Sequence, residues 1–363
     1  MMNIDYLGRN NAQGEVANAV INNEMNLGEM RPFMHQGKPY VSIYKGGDPM
    51  QDSSYKTELV TQGLIANGTL RRDEWKQLDD AILPIARNRL NGIADLEAHG
   101  LVYTLGNAMG TTVLEWHDVS DSMEAELTMD GVTRSKGDRP IFSTKYLPIP
   151  VIHVDYEINA RVLAASRKQG NPLDVTSVEH ATRRIAEYLE SMLFTDIETN
   201  FADGKVQSYI NYDNRNTITL ASKWDNSGVT GALIIADVMT MKQASMDAKH
   251  YGDWMLYVPS DYETTLDEDY SSSKGTNTIR ERILQIRGIM GVKVVDTLPD
   301  DNVLLVQMTS DVVRLVKGMG IQNVQWDTEG RWITKYKVMT IQVPQLRADQ
   351  DGNCGINHAT FTA

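Results

Sequence analysis

Residues 112–158 constrain the fold of this chain more than any other stretch. From Thr112 to Ile158 the apolar residues recur with a period close to two, which is the side-chain period of a β-strand. Asp130-Gly131 lies in the middle, and this dipeptide is a strong signal for a tight two-residue turn. The stretch therefore predicts a long antiparallel hairpin that projects from the rest of the molecule.

One arm of this hairpin is acidic and the other is mostly basic. Residues 115–130 contain no Lys or Arg but six acids, namely Glu115, Asp118, Asp121, Glu124, Glu126 and Asp130. Residues 133–145 contain one acid, Asp138, and four cations, namely Arg134, Lys136, Arg139 and Lys145. Pairing across the two strands of one hairpin would explain this layout. Alternatively, the hairpin also presents its charges to a neighbouring subunit, and the candidate contacts are then Glu124, Glu126, Asp130, Arg134, Lys136 and Arg139.

Helices and strands are mixed along the rest of the chain. The longest predicted helix runs from Asp174 to Glu198, with Glu179 and Arg183 paired on its wet side and an apolar stripe of Val178, Ala181, Ile185, Leu189 and Met192. Further helices are predicted at 73–91, kinked at Pro84 and stopped by Gly92, at 231–248, with Leu233 on its apolar stripe, and at 277–287. Strands are predicted at 40–44, 254–258, 292–295, 303–308 and 331–343. This order lacks a strict βαβ rhythm and indicates the α+β class.

The first 70 residues lack the apolar periodicity of a packed domain. Gly, Asn and Pro recur throughout this stretch, and only Tyr40–Tyr44 has a strand pattern. We therefore expect residues 1–70 to form an extended arm. An arm without a core becomes ordered only by lying on its own body or on a neighbouring subunit.

The charge distribution argues against specific recognition of nucleic acid. The net charge is −13, and acids outnumber Lys and Arg in residues 1–70, 71–199 and 200–363 alike. A cationic stripe for phosphates is therefore missing. An acidic wall along which packed DNA slides fits the same numbers. No stretch has the length and apolarity of a membrane span, and residues 1–16 do not have the pattern of a secretion signal.

Sequence motifs for catalysis, cofactors or metals are also missing, so we predict no catalytic, cofactor-binding or metal-binding residues. Gly318-Met319-Gly320 is interpreted as a turn rather than a nucleotide site. Asp349–Asn353 is interpreted as a polar turn rather than a calcium loop, because its glycine is misplaced and no glutamate closes it. The acids at 267–269 are interpreted as a solvated face. The single cysteine, Cys354, is interpreted as a buried and inert thiol, and a reducing cytosol is the expected place of synthesis.

Three stretches, taken in their order, resemble the major capsid proteins of tailed phages, whose fold is called Hong Kong 97-like and is shared by encapsulin nanocompartments. Residues 70–96 (LRRDEWKQLDDAILPIARNRLNGIADL) resemble the Trp-containing helix that follows the arm. Residues 146–194 resemble the return strand of the extended loop and the spine helix. Residues 256–308, Gln325-Trp326 and 353–359 (NCGINHA) resemble the axial domain and the strands that return from it.

The resemblance implies a division of the chain. It consists of the arm at 1–70, an N-terminal helix region at 71–111, the extended loop at 112–150, a peripheral domain with the spine helix at 151–228, the axial domain at 229–320, and return strands of the peripheral domain at 321–363.

The resemblance also implies a function. The chain would assemble through hexamers and pentamers of itself into an icosahedral shell around a double-stranded DNA genome, without being an enzyme. Its expected partners are portal and scaffolding proteins, a decoration protein, and packaged DNA that it contacts non-specifically, but no membrane. Its expected locations are the host cytoplasm during synthesis and then the virion. The alternative is an encapsulin-like shell that encloses a cargo enzyme.

Overall fold

The computed structural model describes residues 33–35, 38–45, 56–61, 70, 73–80, 91–106, 108–119, 129, 142–169, 175–201, 204–270, 277–329, 332–349 and 351–361. The helices are α1 (73–80), α2 (Asn91–Ala98), α3 (Ala160–Gln169), α4 (Thr176–Phe194), α5 (Gly231–Asp247), α6 (Glu263–Leu266) and α7 (Ile279–Leu284). The first strands are β1 (Phe33–His35), β2 (Lys38–Lys45), β3 (Lys56–Thr61), β4 (Val102–Thr104), β5 (Val113–Val119), β6 (Phe142–Pro148), β7 (Ile152–Asn159), β8 (Thr199–Phe201) and β9 (Gly204–Val206). The later strands are β10 (Asn216–Thr219), β11 (Trp254–Pro259), β12 (Ile289–Val295), β13 (Asn302–Gln307), β14 (Val313–Glu329), β15 (Ile333–Leu346) and β16 (Ile356–Thr360). The predicted α+β class is confirmed.

A five-stranded sheet forms the centre of the described structure. Its order is β10-β16-β13-β11-β12, with the two edge strands parallel to their neighbours and the inner pairs antiparallel. All six residues of β11 are buried. Trp254 and Leu256 pack in one apolar core with α5 and α7, whereas Met255 and Tyr257 pack in a second core with α4. The sheet is covered on both faces, which explains why β11 has an unbroken run of buried residues.

A second sheet carries the longest described helix. Its order is β4-β14-β15-β7, and α4 packs across β15 and β7. The 19 residues of α4 correspond to roughly 28 Å at 1.5 Å per residue. The predicted stripe from Val178 to Met192 is buried as expected. The predicted ion pair is wrong, because Arg183 pairs with Glu187 at 3.7 Å rather than with Glu179.

Gly92 does not stop a helix, contrary to the sequence-based prediction. It is the second residue of α2, and a Cβ at this position would lie 2.6 Å from Cε2 of Phe194 and 3.0 Å from Cδ1 of Leu193. Glycine is favoured here because α2 packs closely against the side chains of Leu193 and Phe194 at the end of α4. The predicted kink at Pro84 falls outside the described residues.

Two further local predictions are wrong, and one helix was not predicted. Gly318-Met319-Gly320 lies inside β14, where the pairing with β15 is irregular, and not in a turn. A Cβ on Gly318 would collide with the side chain of Ala108, so close packing explains this glycine. Leu233, predicted on the buried stripe of α5, is exposed because that stripe consists of Ile234, Val238 and Met241. Helix α3 lacks a strong apolar stripe, since most of its described side chains are exposed.

The sheets also cross the predicted domain borders, which remain a prediction. Strands β10 and β16, from outside residues 229–320, complete the sheet of that region, and β14 runs across position 320. In the predicted arm, the structure describes a three-stranded antiparallel sheet, β1-β2-β3, rather than one strand. Leu70, at the end of the arm, is buried in the same core as α4.

Candidate functional site: the projecting ribbon and the buried junction beneath it

Strands β5 and β6 form a two-stranded ribbon that has no core of its own. Leu147 and Pro148 are buried at its base, but Phe142 is 65% exposed, and Thr144, Lys145 and Tyr146 are exposed as well. These residues alternate in direction, so both faces of the ribbon meet solvent. Since two strands alone are marginally stable in water, such a ribbon gains stability from a surface that covers it.

The described part of the ribbon has a regular antiparallel register, and the predicted turn at Asp130-Gly131 lies outside the described residues. Val113 pairs with Pro148 and Val119 with Phe142, so every pair is symmetric about the midpoint between positions 130 and 131. The six candidate contact residues between Glu124 and Arg139 lie outside the described residues, and their role stays a prediction.

A short hairpin packs against the base of the ribbon. Strands β8 and β9 pair with each other, and β9 packs against β6. A Cβ on Gly204 would lie 2.7 Å from Cδ of Pro148 and 2.8 Å from the carbonyl oxygen of Tyr146, so only glycine permits this approach. The ribbon base therefore lies in close contact with the backbone of β9, in addition to the packing of Leu147 in the core.

A cleft of about 530 Å³ lies between the ribbon base and the turn after β15. Trp116 and Lys145 line its ribbon side, and Asp349 and Asp351 line its far side. The carboxylate of Asp349 accepts the backbone N–H of Asn353 at 2.6 Å, which confirms the predicted polar turn. The cleft has both signs of charge and an aromatic wall, which suits a polypeptide segment better than a small uniformly charged ligand.

A second polar feature, a buried acid, was missed by the sequence analysis. Glu190 of α4 is only 5% exposed, and both its carboxylate oxygens lie 3.1 Å from the backbone nitrogen of Gly92, whose N–H donates to them. Burial raises the pKa of Glu190 from 4.5 to about 7; the N–H of Gly92 opposes this rise, and the charges of Asp95 and Asp296 add to it. The sequence contains a signal for this buried acid, because Glu190 lies among Ala186, Leu189 and Leu193 on an otherwise apolar helix face.

Two further titratable groups, Cys354 and His358, are buried in the described structure. Burial raises the pKa of the Cys354 thiol to about 12, in line with the predicted inert cysteine. Burial and the charge of Arg215 lower the pKa of His358 to about 4, and its ring nitrogens contact Arg215 and Asn302. In the described ranges, no three His, Cys, Asp or Glu side chains converge so as to hold a metal ion. None of the described helices is both long and apolar enough to cross a membrane.

A protein-family model covers most of this architecture. Residues 65–359, from the buried Leu70 to the central strand β16, match the "Family of unknown function (DUF6260)". The chain belongs to the DUF6260 family.

The fold of this DUF6260 protein is that of known shells. It matches the crystal structure of a virus-like particle from Pyrococcus furiosus with a TM-score of 0.57 and 16% identity, over 78% of this chain and 98% of that one. It matches the capsid of Myoviridae phage XM1 with a TM-score of 0.57 and 9% identity, over 73% of this chain and 91% of that one. The DUF6260 protein has the Hong Kong 97-like fold, as its sequence predicted.

One curated relative shares detectable sequence. The type 1 encapsulin shell protein EncA of Myxococcus xanthus is 25% identical to the DUF6260 protein over 134 residues. This region is 36% of the DUF6260 chain and 43% of EncA, so the alignment spans less than half of either protein.

Proposed function

We propose that this protein is the major capsid protein of a tailed virus, which assembles through hexamers and pentamers into an icosahedral shell around double-stranded DNA. One observation carries the proposal: a chain with the Hong Kong 97-like fold has a ribbon exposed on both faces. A surface of another subunit would cover that ribbon, and repetition of the contact closes a shell.

Two features favour a viral capsid over an encapsulin-like compartment. The family match begins at residue 65, so most of the predicted arm at 1–70 lies before it. The predicted hairpin in residues 112–150 is long, and its two strands carry charges of opposite sign. The encapsulin-like compartment remains the second candidate, since the similarity to EncA supports it.

In this proposal the protein is structural rather than enzymatic, and it acts together with other proteins. Portal and scaffolding proteins, and a decoration protein, would act with many copies of this chain. Packaged DNA would touch the shell non-specifically, because the net charge of −13 provides no general attraction for phosphate. The protein would be made in the host cytoplasm and end in the virion.

The test is expression of the full chain, followed by sedimentation and electron microscopy. The expected result is capsomers or closed shells, either from the chain alone or when it is expressed with the proteins encoded beside it. Tailed, DNA-filled heads would identify the capsid, and empty shells around a protein would identify the encapsulin-like alternative. A monodisperse monomer at high concentration in several buffers, even with those proteins present, would contradict both.

A further inference from the structure

Three parts of the fold meet around the carboxyl group of Glu190. Helix α4 provides Glu190 itself, and α2 provides the backbone N–H of Gly92 at 3.1 Å. The central sheet closes the junction through the Tyr257 hydroxyl, which donates to Asp95 of α2 at 3.3 Å. Helix α2 is therefore held against both the longest helix and the central sheet at a single polar junction.

The contact between Glu190 and Gly92 meets a need of both partners. The N–H of Gly92 is one of the first four in α2, which have no acceptor inside their own helix. Glu190 lies in an apolar stripe, and the N–H of Gly92 is a hydrogen-bond partner for its buried carboxyl oxygens. Because Phe194 leaves no room for a Cβ at position 92, α2 approaches closely enough for the bond to form.

The other groups that face Glu190 do not neutralise a negative charge there. Asp95 on α2 and Asp296 after β12 are acids. Lys293 of β12 forms its ion pair with Asp95 at 3.6 Å. Tyr209 and Tyr257, from the other side, are phenols whose pKa burial raises further, so they stay neutral. An ionised Glu190 in the docked junction is thus surrounded by acids, phenols and apolar side chains.

We propose that the burial of Glu190 beneath α2 is a proton-dependent latch, which holds α2 firmly on α4 when Glu190 is protonated and loosens when the buried group ionises. Release of α2 exposes the carboxyl group to water, where its ordinary acidity returns. The docked form thus binds one more proton than the released form between about pH 4.5 and pH 7. Within that window, each unit of rising pH favours release by about tenfold, and above it the effect levels off.

The latch is a property of the single subunit and does not depend on the proposed shell. It adds a control point at α2, which lies between α1 and the rest of the chain in sequence. The trigger is the proton alone, and no bound ligand is required.

Hydrogen exchange of the full-length chain, followed by mass spectrometry of peptides that cover residues 91–98, tests the latch. After correction for intrinsic exchange rates, wild-type protection of this helix should fall from pH 5 to pH 7 and then level off. Glu190→Gln has the same shape and keeps an acceptor oxygen, but it cannot ionise. Its protection should be independent of pH, and at pH 8 it should exceed that of the wild type at least tenfold.

Two comparisons separate the latch from general destabilisation. Glu187→Gln removes a neighbouring acid that is more exposed and pairs with Arg183 and Arg184, so its profile should match the wild type. Peptides from α5, in the other core, should not differ between Glu190→Gln and the wild type. If Glu190→Gln does not fold, Gly92→Ala provides the test, because it should leave α2 unprotected at every pH.

Three results would overturn the latch. The first is the same pH dependence in Glu190→Gln as in the wild type. The second is weaker protection of Glu190→Gln at every pH, which would make the charge a plain structural contact. The third is a Gly92→Ala variant in which protection of α2 still follows pH as in the wild type.

Discussion

The indole ring of Trp75 meets the ring of Tyr336 edge-on, with 5.9 Å between the ring centroids. This contact fastens α1 to β15 in the middle of the second sheet, where Tyr336 also stacks on Tyr156 at 5.3 Å. The start of the family-matched region is thereby packed into the same core as the longest helix.

Replacing Trp75 with Ala should lower the free energy of unfolding by about 3–5 kcal/mol, because the side chain is 5% exposed and its removal leaves a large cavity. Urea unfolding followed by circular dichroism measures this loss. Trp332→Ala is the matched control, since Trp332 is 67% exposed and its loss should cost less than about 0.5 kcal/mol. Equal effects of the two changes would contradict the described packing of α1.

Gly92→Ala should destabilise the protein although alanine favours helices. The gain in helix propensity is about 1 kcal/mol, whereas overpacking against Phe194 and Leu193 costs about 1–3 kcal/mol. A net loss of up to about 2 kcal/mol in urea unfolding is expected. Gly320→Ala is the control, because a Cβ there meets no atom within 4 Å, and this variant should be neutral or slightly more stable. A more stable Gly92→Ala protein would show that α2 does not lie this close to α4.

Glu190 should make global stability depend on pH. Its pKa is raised from 4.5 to about 7 by burial, so its favourable contribution is complete below pH 4.5 and is lost as the pH rises through 7. The wild type and Glu190→Gln should therefore have similar stability at pH 5, whereas at pH 8 the wild type should be the less stable by up to about 3 kcal/mol. Urea unfolding of both proteins across this range measures the difference. A constant difference between the two proteins at all pH values would contradict this assignment.

Changing Arg134, Lys136 and Arg139 together to Glu tests the charged hairpin. If these residues only balance acids on their own hairpin, the subunit loses at most about 1–3 kcal/mol, since exposed pairs contribute about 0.2–1 kcal/mol each. If they reach a neighbour, circular dichroism should stay normal while shells fail to form in electron micrographs.

A matched control for this variant changes Lys76, Arg161 and Lys168 to Glu, which alters the net charge equally at exposed positions of the body. That protein should still assemble. Normal shells from the hairpin variant at every salt concentration would confine these charges to a role within one chain.

The sequence predicted best those elements whose pattern is local. The stripe from Val178 to Met192 repeats at helical spacing within one segment, and β11 is a short apolar run, so both are visible without knowing what they touch. The strands β5 and β6 have a local signal as well, because the apolar residues of 112–158 recur with a period close to two.

The features missed by the sequence analysis depend on contacts between distant residues. Gly92 has the pattern of a helix terminator, and only the position of Phe194, about a hundred residues later, shows that it permits close packing. Glutamate is a common residue on the exposed face of a helix, so the sequence alone does not mark Glu190 as buried. The docking of α2 makes it a buried acid. Gly318 has the same ambiguity, because the neighbour that requires it, Ala108, lies in another element.

The position of β16 has a consequence for synthesis on the ribosome. This strand lies between β10 and β13, in the interior of the central sheet, although it comes from residues 356–360. Until those residues emerge, the backbone groups of β10 and β13 that will pair with it remain open, as does the apolar interior beside them. Translation at about 5–20 residues per second leaves a newly made subunit in this open state for several seconds after β13 has appeared. Neighbouring chains on the same messenger can pair through these open edges, and the insertion of β16 is the step that closes them and ends this risk of mispairing.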